Sequence, residues 1–248
     1  PRWYGLAYLL GFVYTYLVLK KYHRWMGLKN TEELDGLLAR LVFGLIVGSR
    51  FAYVVFYNWE ETMAGPWWEF LAVWHGGLSF HGALAGVIVA SVWVARKYKV
   101  PWLRLTDVLA IATPVGLGLG RIANFINGEL WGRVTDVPWG MVFPYAGPLP
   151  RHPSQIYEFF LEGVVLFVIL RLVWRVKPRV GVVSGVFLLF YSIFRIMVEF
   201  VRQPDAQVGF LPGGVTMGQT LSVAMVFGGI YLVRYALRNG SLHDISAR

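Results

Sequence analysis

The chain alternates long apolar stretches with short polar ones. Seven apolar stretches read as membrane spans: Tyr4–Leu19, Leu34–Tyr57, Leu78–Ala95, Asp107–Ile126, Gln155–Trp174, Gly181–Phe200 and Thr216–Tyr235. The predicted fold is therefore all-α, a polytopic integral membrane bundle of seven transmembrane helices. The polar interval near residues 128–154 predicts a small head formed by loops. No polar block is long enough to bury a core of its own, so 1–248 reads as a single transmembrane domain. No small-residue cleavage site follows the first apolar run, so a removable leader is not expected.

The basic residues orient the bundle. One side of it holds Lys20, Lys21, Arg24, Lys29, Arg96, Lys97, Lys99, Arg104, Arg171, Arg175, Lys177, Arg179, Arg234, Arg238 and Arg248, fifteen of the 23 Lys and Arg. The other side holds four: Arg2, Arg133, Arg151 and Arg202. Positive charge collects on the cytoplasmic side, which predicts an outer N-terminus, a cytoplasmic C-terminus and a head on the outer side. Trp67, Trp68, Trp74, Trp131 and Trp139 in the outer loops, and Trp25, Trp102 and Trp174 near the inner ends, suit aromatic belts. The pairs Gly44/Gly48, Gly82/Gly86, Gly116/Gly120 and Gly181/Gly185 are spaced for close helix packing.

Composition agrees. The 248 residues are 56% hydrophobic and 15% charged, with a mean hydropathy of +0.54; soluble domains carry about 25% charged residues. The net charge of +9 fits anionic lipid and the orientation rule better than nucleic acid, for which no motif is present. Cysteine is absent, which excludes disulfides, thiolate metal sites and a cysteine nucleophile belonging to this chain.

Four arginines, Arg40, Arg50, Arg121 and Arg195, fall inside predicted spans. Each costs about 2.5–3.5 kcal/mol at a helix centre, so each needs a partner, an interface or a polar cavity. Arg40 is placed to snorkel inward, whereas Arg50 sits in mid-span. Gly120 to Arg133, G-R-I-A-N-F-I-N-G-E-L-W-G-R, concentrates Arg121, Asn124, Asn127, Glu129 and Arg133 at a span end. Arg121 and Asn124, three apart, share a helix face, and Asn127-Gly128 predicts the turn that ends it. On the sixth span Tyr191, Arg195 and Glu199 share a face at spacings of four. Arg195 and Glu199 either pair with each other or wall a site. His81 follows a Gly76-Gly77 turn at a helix start, as a structural histidine or as a proton acceptor near neutral pH. His75 reads as interfacial. In Arg151 to Glu158, Pro153 with Ser154 and Glu158 reads first as helix initiation.

Taken together these stretches resemble the bacterial prolipoprotein diacylglyceryl transferases. The matching residues are Arg2-Trp3-Tyr4-Gly5, Gly76 to Gly82, Gly120 to Arg133, Arg151 to Glu158 and Tyr191 to Asp205, with Thr216-Met217-Gly218-Gln219 as a smaller match. They run in family order along nearly the whole chain. The resemblance implies a seven-helix enzyme of the bacterial inner membrane with its site towards the periplasm, one catalytic domain over 1–248. It implies transfer of diacylglyceryl from phosphatidylglycerol to the thiol of the lipobox cysteine in a prolipoprotein signal peptide, releasing glycerol phosphate. By motif position, the family's functional residues fall on Tyr4, His81, Arg121, Asn124, Glu129, Gly132, Tyr191, Arg195 and Glu199. His81, Arg121 and Arg195 are the expected catalytic residues; the other six would bind donor or support the site. Relative to the family pattern, the sequence starts close to the Tyr4 motif, the segment between Arg133 and Arg151 is short, and Ala83 stands where many members have Gly.

The residues suit that chemistry. A thiol with a pKa near 8.5 needs a base or a positive field to act as a nucleophile. Guanidinium groups match an anionic phosphodiester and the charge that grows on the leaving phosphate. No metal or cofactor is called for, and the thiol arrives on the substrate. A polytopic anionic-lipid transporter or flippase is the rival reading; it accounts for the intramembrane arginines but not for the combined motifs.

Overall fold

A computed structural model describes residues 2–204 and 213–241; Asp205 and Arg248 lie outside them. The described helices are α1 (Arg2–Met26), α2 (Thr31–Tyr57), α3 (Trp59–Ala64), α4 (Phe80–Tyr98), α5 (Trp102–Asn127), α6 (Ser154–Glu158), α7 (Leu166–Arg175), α8 (Val182–Glu199) and α9 (Met217–Asn239). Two short 3-10 turns, Trp67–Leu71 and Val73–His75, precede α4, and a π-helical segment, Phe159–Val165, joins α6 to α7. Among the described residues strand-like pairing is confined to isolated bridges in the 132–151 and 202 region.

The helix starts follow local chemistry. Asn30 accepts the Glu33 amide at 2.9 Å, and Glu33 reaches back to the Lys29 amide at 2.8 Å, which opens α2. Thr216 and Gln219 form a reciprocal capping box on α9. Helix α8 borrows its cap. Asp107, fully buried in α5, accepts from the amides of Gly181 (2.7 Å) and Ser184 (2.8 Å) and from the Ser184 hydroxyl (2.6 Å). Asp107 lies within α5 because that helix starts at Trp102, before the predicted span.

Among the described residues four helices, α2, α5, α8 and α9, are long and apolar enough to cross a membrane, against the seven predicted spans. The difference has physical causes. Tyr4, Tyr8, Tyr14 and Tyr16 dilute the apolar character of α1, and Lys20, Lys21 and Arg24 end it. Arg96 and Lys97 do the same for α4. The fifth predicted span is a composite of α6, the π segment and α7, with Glu158 and Glu162 inside it. Large apolar side chains such as Phe43, Phe56, Val89 and Phe227 face outward, as expected of helices solvated by lipid.

The chain forms two compact units, Pro1–Lys21 with Thr106–Ser246 and Tyr22–Leu105. In the second, α2 and α4 meet at glycine. A Cβ on Gly44 would lie 2.8 Å from the Ala90 Cβ, and one on Gly48 would lie 2.9 Å from the Gly86 Cα. The predicted pairs Gly44/Gly48 and Gly82/Gly86 therefore pack against each other. In the first unit, Gly185 meets Gly229 across α8 and α9. Gly116 packs its Cα against Gly11 of α1, 3.4 Å from where a Gly11 Cβ would lie; Gly120 has open space where a Cβ would go, and α5 makes a further close approach at Gly118, against Gly163 of the π segment.

Candidate active site

Three arginines and three glutamates interlock inside the first unit. Arg121 Nε lies 2.5 Å from Glu158 Oε2, an ion pair by distance without the alignment of a hydrogen bond. The Arg121 Nη2 group reaches Glu162 Oε2 at 3.4 Å. Arg195 donates to Glu158 Oε1 at 3.2 Å, and its Nη2 lies 3.0 Å from Glu199 Oε2. Arg202 donates to Glu158 Oε1 at 3.2 Å. Glu158 thus joins guanidinium groups from α5, from α8 and from the segment after α8. The carboxylates are the deeper partners: Glu158 is 1% exposed and Glu162 fully buried, while the Arg121 and Arg195 side chains are 17% and 15% exposed. Tyr191 lies in the same field, close to Glu162 and Arg195.

The placement follows from the helices. Glu158 and Glu162 are four apart and face α5 together. The π segment starts between them, and π-bulges recur at functional sites because they turn a side-chain face without ending the helix. Glu199, at the end of α8, also accepts the Thr216 hydroxyl at 2.9 Å, and the Gly218 backbone lies close against its carboxylate. Arg195 and Glu199 therefore do pair, and as part of a larger network.

A second constellation ties α1 to the end of α5. The Tyr4 hydroxyl donates to Glu129 Oε2 at 2.8 Å, and Asn124 Nδ2 donates to that hydroxyl. Gln155 donates to the Glu129 carbonyl, and Ser154 Oγ to the Leu130 carbonyl at 3.0 Å. One turn of α6 thus holds both the Glu129 loop and, through Glu158, the arginines. Gly132 is buried where three backbone segments converge, donating to the His152 carbonyl at 2.8 Å. A Cβ there would lie 2.6 Å from both the His152 Cβ and the Val201 carbonyl oxygen. Arg133 closes the end of α8 through the carbonyls of Arg202 (3.0 Å) and Glu199 (3.3 Å). A cavity of about 290 Å³ opens beside the Asn127-Gly128 turn, lined by Phe125, Ile126, Met141, Phe143 and Tyr145 among others. Its lining carries no charged side chain.

In the second unit, Arg50 is held mainly by backbone carbonyls, with the Glu69 carboxylate 3.6 Å away. It donates to the carbonyls of Glu69 (2.5 Å), Phe70 (3.1 Å), Gly76 (2.8 Å) and Gly77 (3.3 Å), and its charge lies over the Tyr53 ring. It thereby fixes the loop that leads to His81. Gly77 has φ +70, and a Cβ there would clash with the Tyr53 ring. His81 is exposed in the first turn of α4, with Ser79 as the N-cap. His75 pairs with Glu69 at 3.0 Å and is exposed, as expected of an interfacial residue. Arg40 reaches the Gly36 carbonyl at 2.6 Å and lies over the Trp93 ring.

The family model for prolipoprotein diacylglyceryl transferase matches residues 1–235. The chain belongs to this family. Among its relatives, a protein of Aeromonas hydrophila is 49% identical over 248 residues, covering 100% of this chain and 90% of the relative. One of Shewanella sp. strain MR-4 is 52% identical over 233 residues (94% and 87%), and one of Vibrio cholerae serotype O1 is 50% identical over 246 residues (98% and 90%). All three carry the name phosphatidylglycerol–prolipoprotein diacylglyceryl transferase.

Of the family positions picked out in the sequence, Arg121, Arg195, Glu199 and Tyr191 come together at the ionic network, and Tyr4, Asn124 and Glu129 at the hydrogen-bonded one. Gly132 is packed against His152 and Val201, and His81 belongs to the other unit. Sequence reasoning missed Glu162, Arg202 and the hub role of Glu158. Arg202 is buried in the network, whereas the charge count treats it as a loop cation. A signal for the glutamates was present: two acidic residues four apart in an otherwise apolar run.

Proposed function

We propose that this chain transfers the diacylglyceryl group of phosphatidylglycerol to the thiol of the lipobox cysteine in a prolipoprotein signal peptide, releasing glycerol phosphate. The observation that carries the reading is the family match over residues 1–235. The names of the relatives support both substrates. In the reaction the thiolate forms a bond to carbon, the carbon–oxygen bond to phosphate breaks, and the thiol proton leaves. Negative charge grows on the departing phosphate, so fixed guanidinium groups favour the transition state. Arg121 and Arg195 are suited to receive that charge, because they form the exposed edge of a cluster whose carboxylates hold them in place from below.

In this reading Tyr4, Asn124 and Glu129 hold the donor headgroup region, Tyr191 and Glu199 set the Arg195 side, and Gly132 lets the head close. His81 takes the thiol proton, a role that rests on the resemblance. The whole chain acts as one catalytic domain. It crosses the bacterial inner membrane seven times, with the head at about 128–154 and the N-terminus in the periplasm; the fifteen-to-four charge split supports that orientation. No cofactor is needed for displacement by a thiolate. Incubation of the purified protein with phosphatidylglycerol and a lipobox peptide, followed by intact mass measurement, tests the proposal. A diacylglyceryl adduct on the cysteine is expected, and recovery of unmodified peptide alone would refute it.

A further inference from the structure

The ionic network is balanced in formal charge: Arg121, Arg195 and Arg202 against Glu158, Glu162 and Glu199. Taking one carboxylate out of this balance leaves a net positive charge beside the arginines, which draws an anionic ligand more strongly. The three carboxylates are not equally held. Glu158 contacts three arginines, and Glu199 contacts Arg195 and the Thr216 hydroxyl. Glu162 has one ion pair among the described residues, at 3.4 Å from Arg121. Glu158 Oε2, Glu199 Oε2 and Glu162 Oε1 all lack a hydrogen-bond partner, but the first two lie 2.5 and 3.0 Å from an arginine nitrogen, whereas Glu162 Oε1 has no arginine partner among the described residues although the side chain is fully buried. Buried carboxylate oxygens are normally satisfied, so Glu162 is the least tightly held carboxylate of the network. Glu162 also lies within the π segment, an irregularity of the kind that recurs at functional sites.

We infer that Glu162 is a resident anion: it keeps the place of the donor phosphate on Arg121, yields it when donor binds, and returns to expel glycerol phosphate. The inference rests on the proposed function. The product is a phosphomonoester able to carry more charge than the phosphodiester it came from, so a returning carboxylate acts on the product more strongly than on the donor. Glu162 is a positioning residue: it works on the phosphate through Arg121.

The test compares full-length wild type, Glu162→Gln and Glu162→Asp in mixed micelles of detergent and phosphatidylglycerol, with glycerol phosphate as inhibitor. Glu162→Gln keeps the shape and removes the charge. It should lower KM and kcat together and tighten glycerol phosphate inhibition by roughly tenfold, since one like charge is removed from the phosphate's neighbourhood. Glu162→Asp should return the inhibition constant towards wild type. Direct binding of glycerol phosphate, read by thermal shift, should follow the same order and does not depend on turnover. Unchanged or weaker product binding in Glu162→Gln, or an equal change in Glu162→Asp, would overturn the inference. A wild type that neither transfers lipid nor binds glycerol phosphate would instead overturn the proposed function.

Discussion

Glu158 sits between Arg121 and Arg195, with Oε2 2.5 Å from the first and Oε1 3.2 Å from the second. Two guanidinium groups from different helices thus share one carboxylate, and a third, Arg202, reaches the same Oε1. Buried pairs of this kind gain little net stability when intact, but removing one partner leaves uncompensated charge and costs about 3–5 kcal/mol. Glu158→Ala should therefore lower the melting temperature clearly and abolish transfer. A melt equal to wild type would mean that Glu158 does not hold the arginines.

Gly132 is tested by the smallest possible addition. Its Cβ position is blocked by His152 and by the Val201 carbonyl at 2.6 Å, on atoms that cannot rotate away. Gly132→Ala should separate these segments and reduce activity together with thermal stability, by about 1–3 kcal/mol for an overpacked site. Loss of activity at an unchanged melt would point instead to a direct role at the donor.

Orientation can be read chemically, because the chain has no cysteine. In intact cells, a cysteine placed at Thr135 should react with a thiol reagent that cannot cross the membrane, and one at Lys99 should not. The opposite pattern would reverse the proposed topology.

His81→Ala should cut turnover about 10²–10⁴-fold if the residue takes the thiol proton. The mutant should recover as pH rises towards the thiol pKa near 8.5, where the substrate ionises unaided. A mutant rate that stays flat across that range, or one equal to wild type at neutral pH, would remove His81 from this role.

How far these features were legible in the sequence depends on contrast. Arg121, Arg195 and Glu199 stand out because ionisable residues are rare in apolar spans, and a spacing of four put the last two on one face. Glu158 sat in a helix-initiation pattern, where an acidic residue is ordinary, and Arg202 looked like one more loop cation. Their burial comes from tertiary contacts between residues far apart in the chain, which local pattern does not carry. The π segment also escaped, since one wider turn does not disturb an apolar run enough to see. Glycine spacing was informative on α2 and α4, and on α5 it found Gly116, which packs on Gly11, but it also pointed to Gly120, which meets open space, and passed over Gly118. Arg50 shows the same limit: its partners, four carbonyls and the Glu69 carboxylate, lie on a loop that folds back 19 to 27 residues later.

The central claim is that Arg121 and Arg195 grip the donor phosphate. Lysine at either position keeps the charge but lacks the planar pair of donors and holds its hydration more strongly. The direct measurement is the rate of diacylglyceryl transfer from phosphatidylglycerol to a lipobox peptide by purified Arg121→Lys and Arg195→Lys, followed by intact mass. Each should lose roughly 10²–10³-fold in rate, the worth of one oxyanion donor, with a melt close to wild type. Wild-type turnover in both variants would contradict the claim and leave these arginines as structural partners of Glu158.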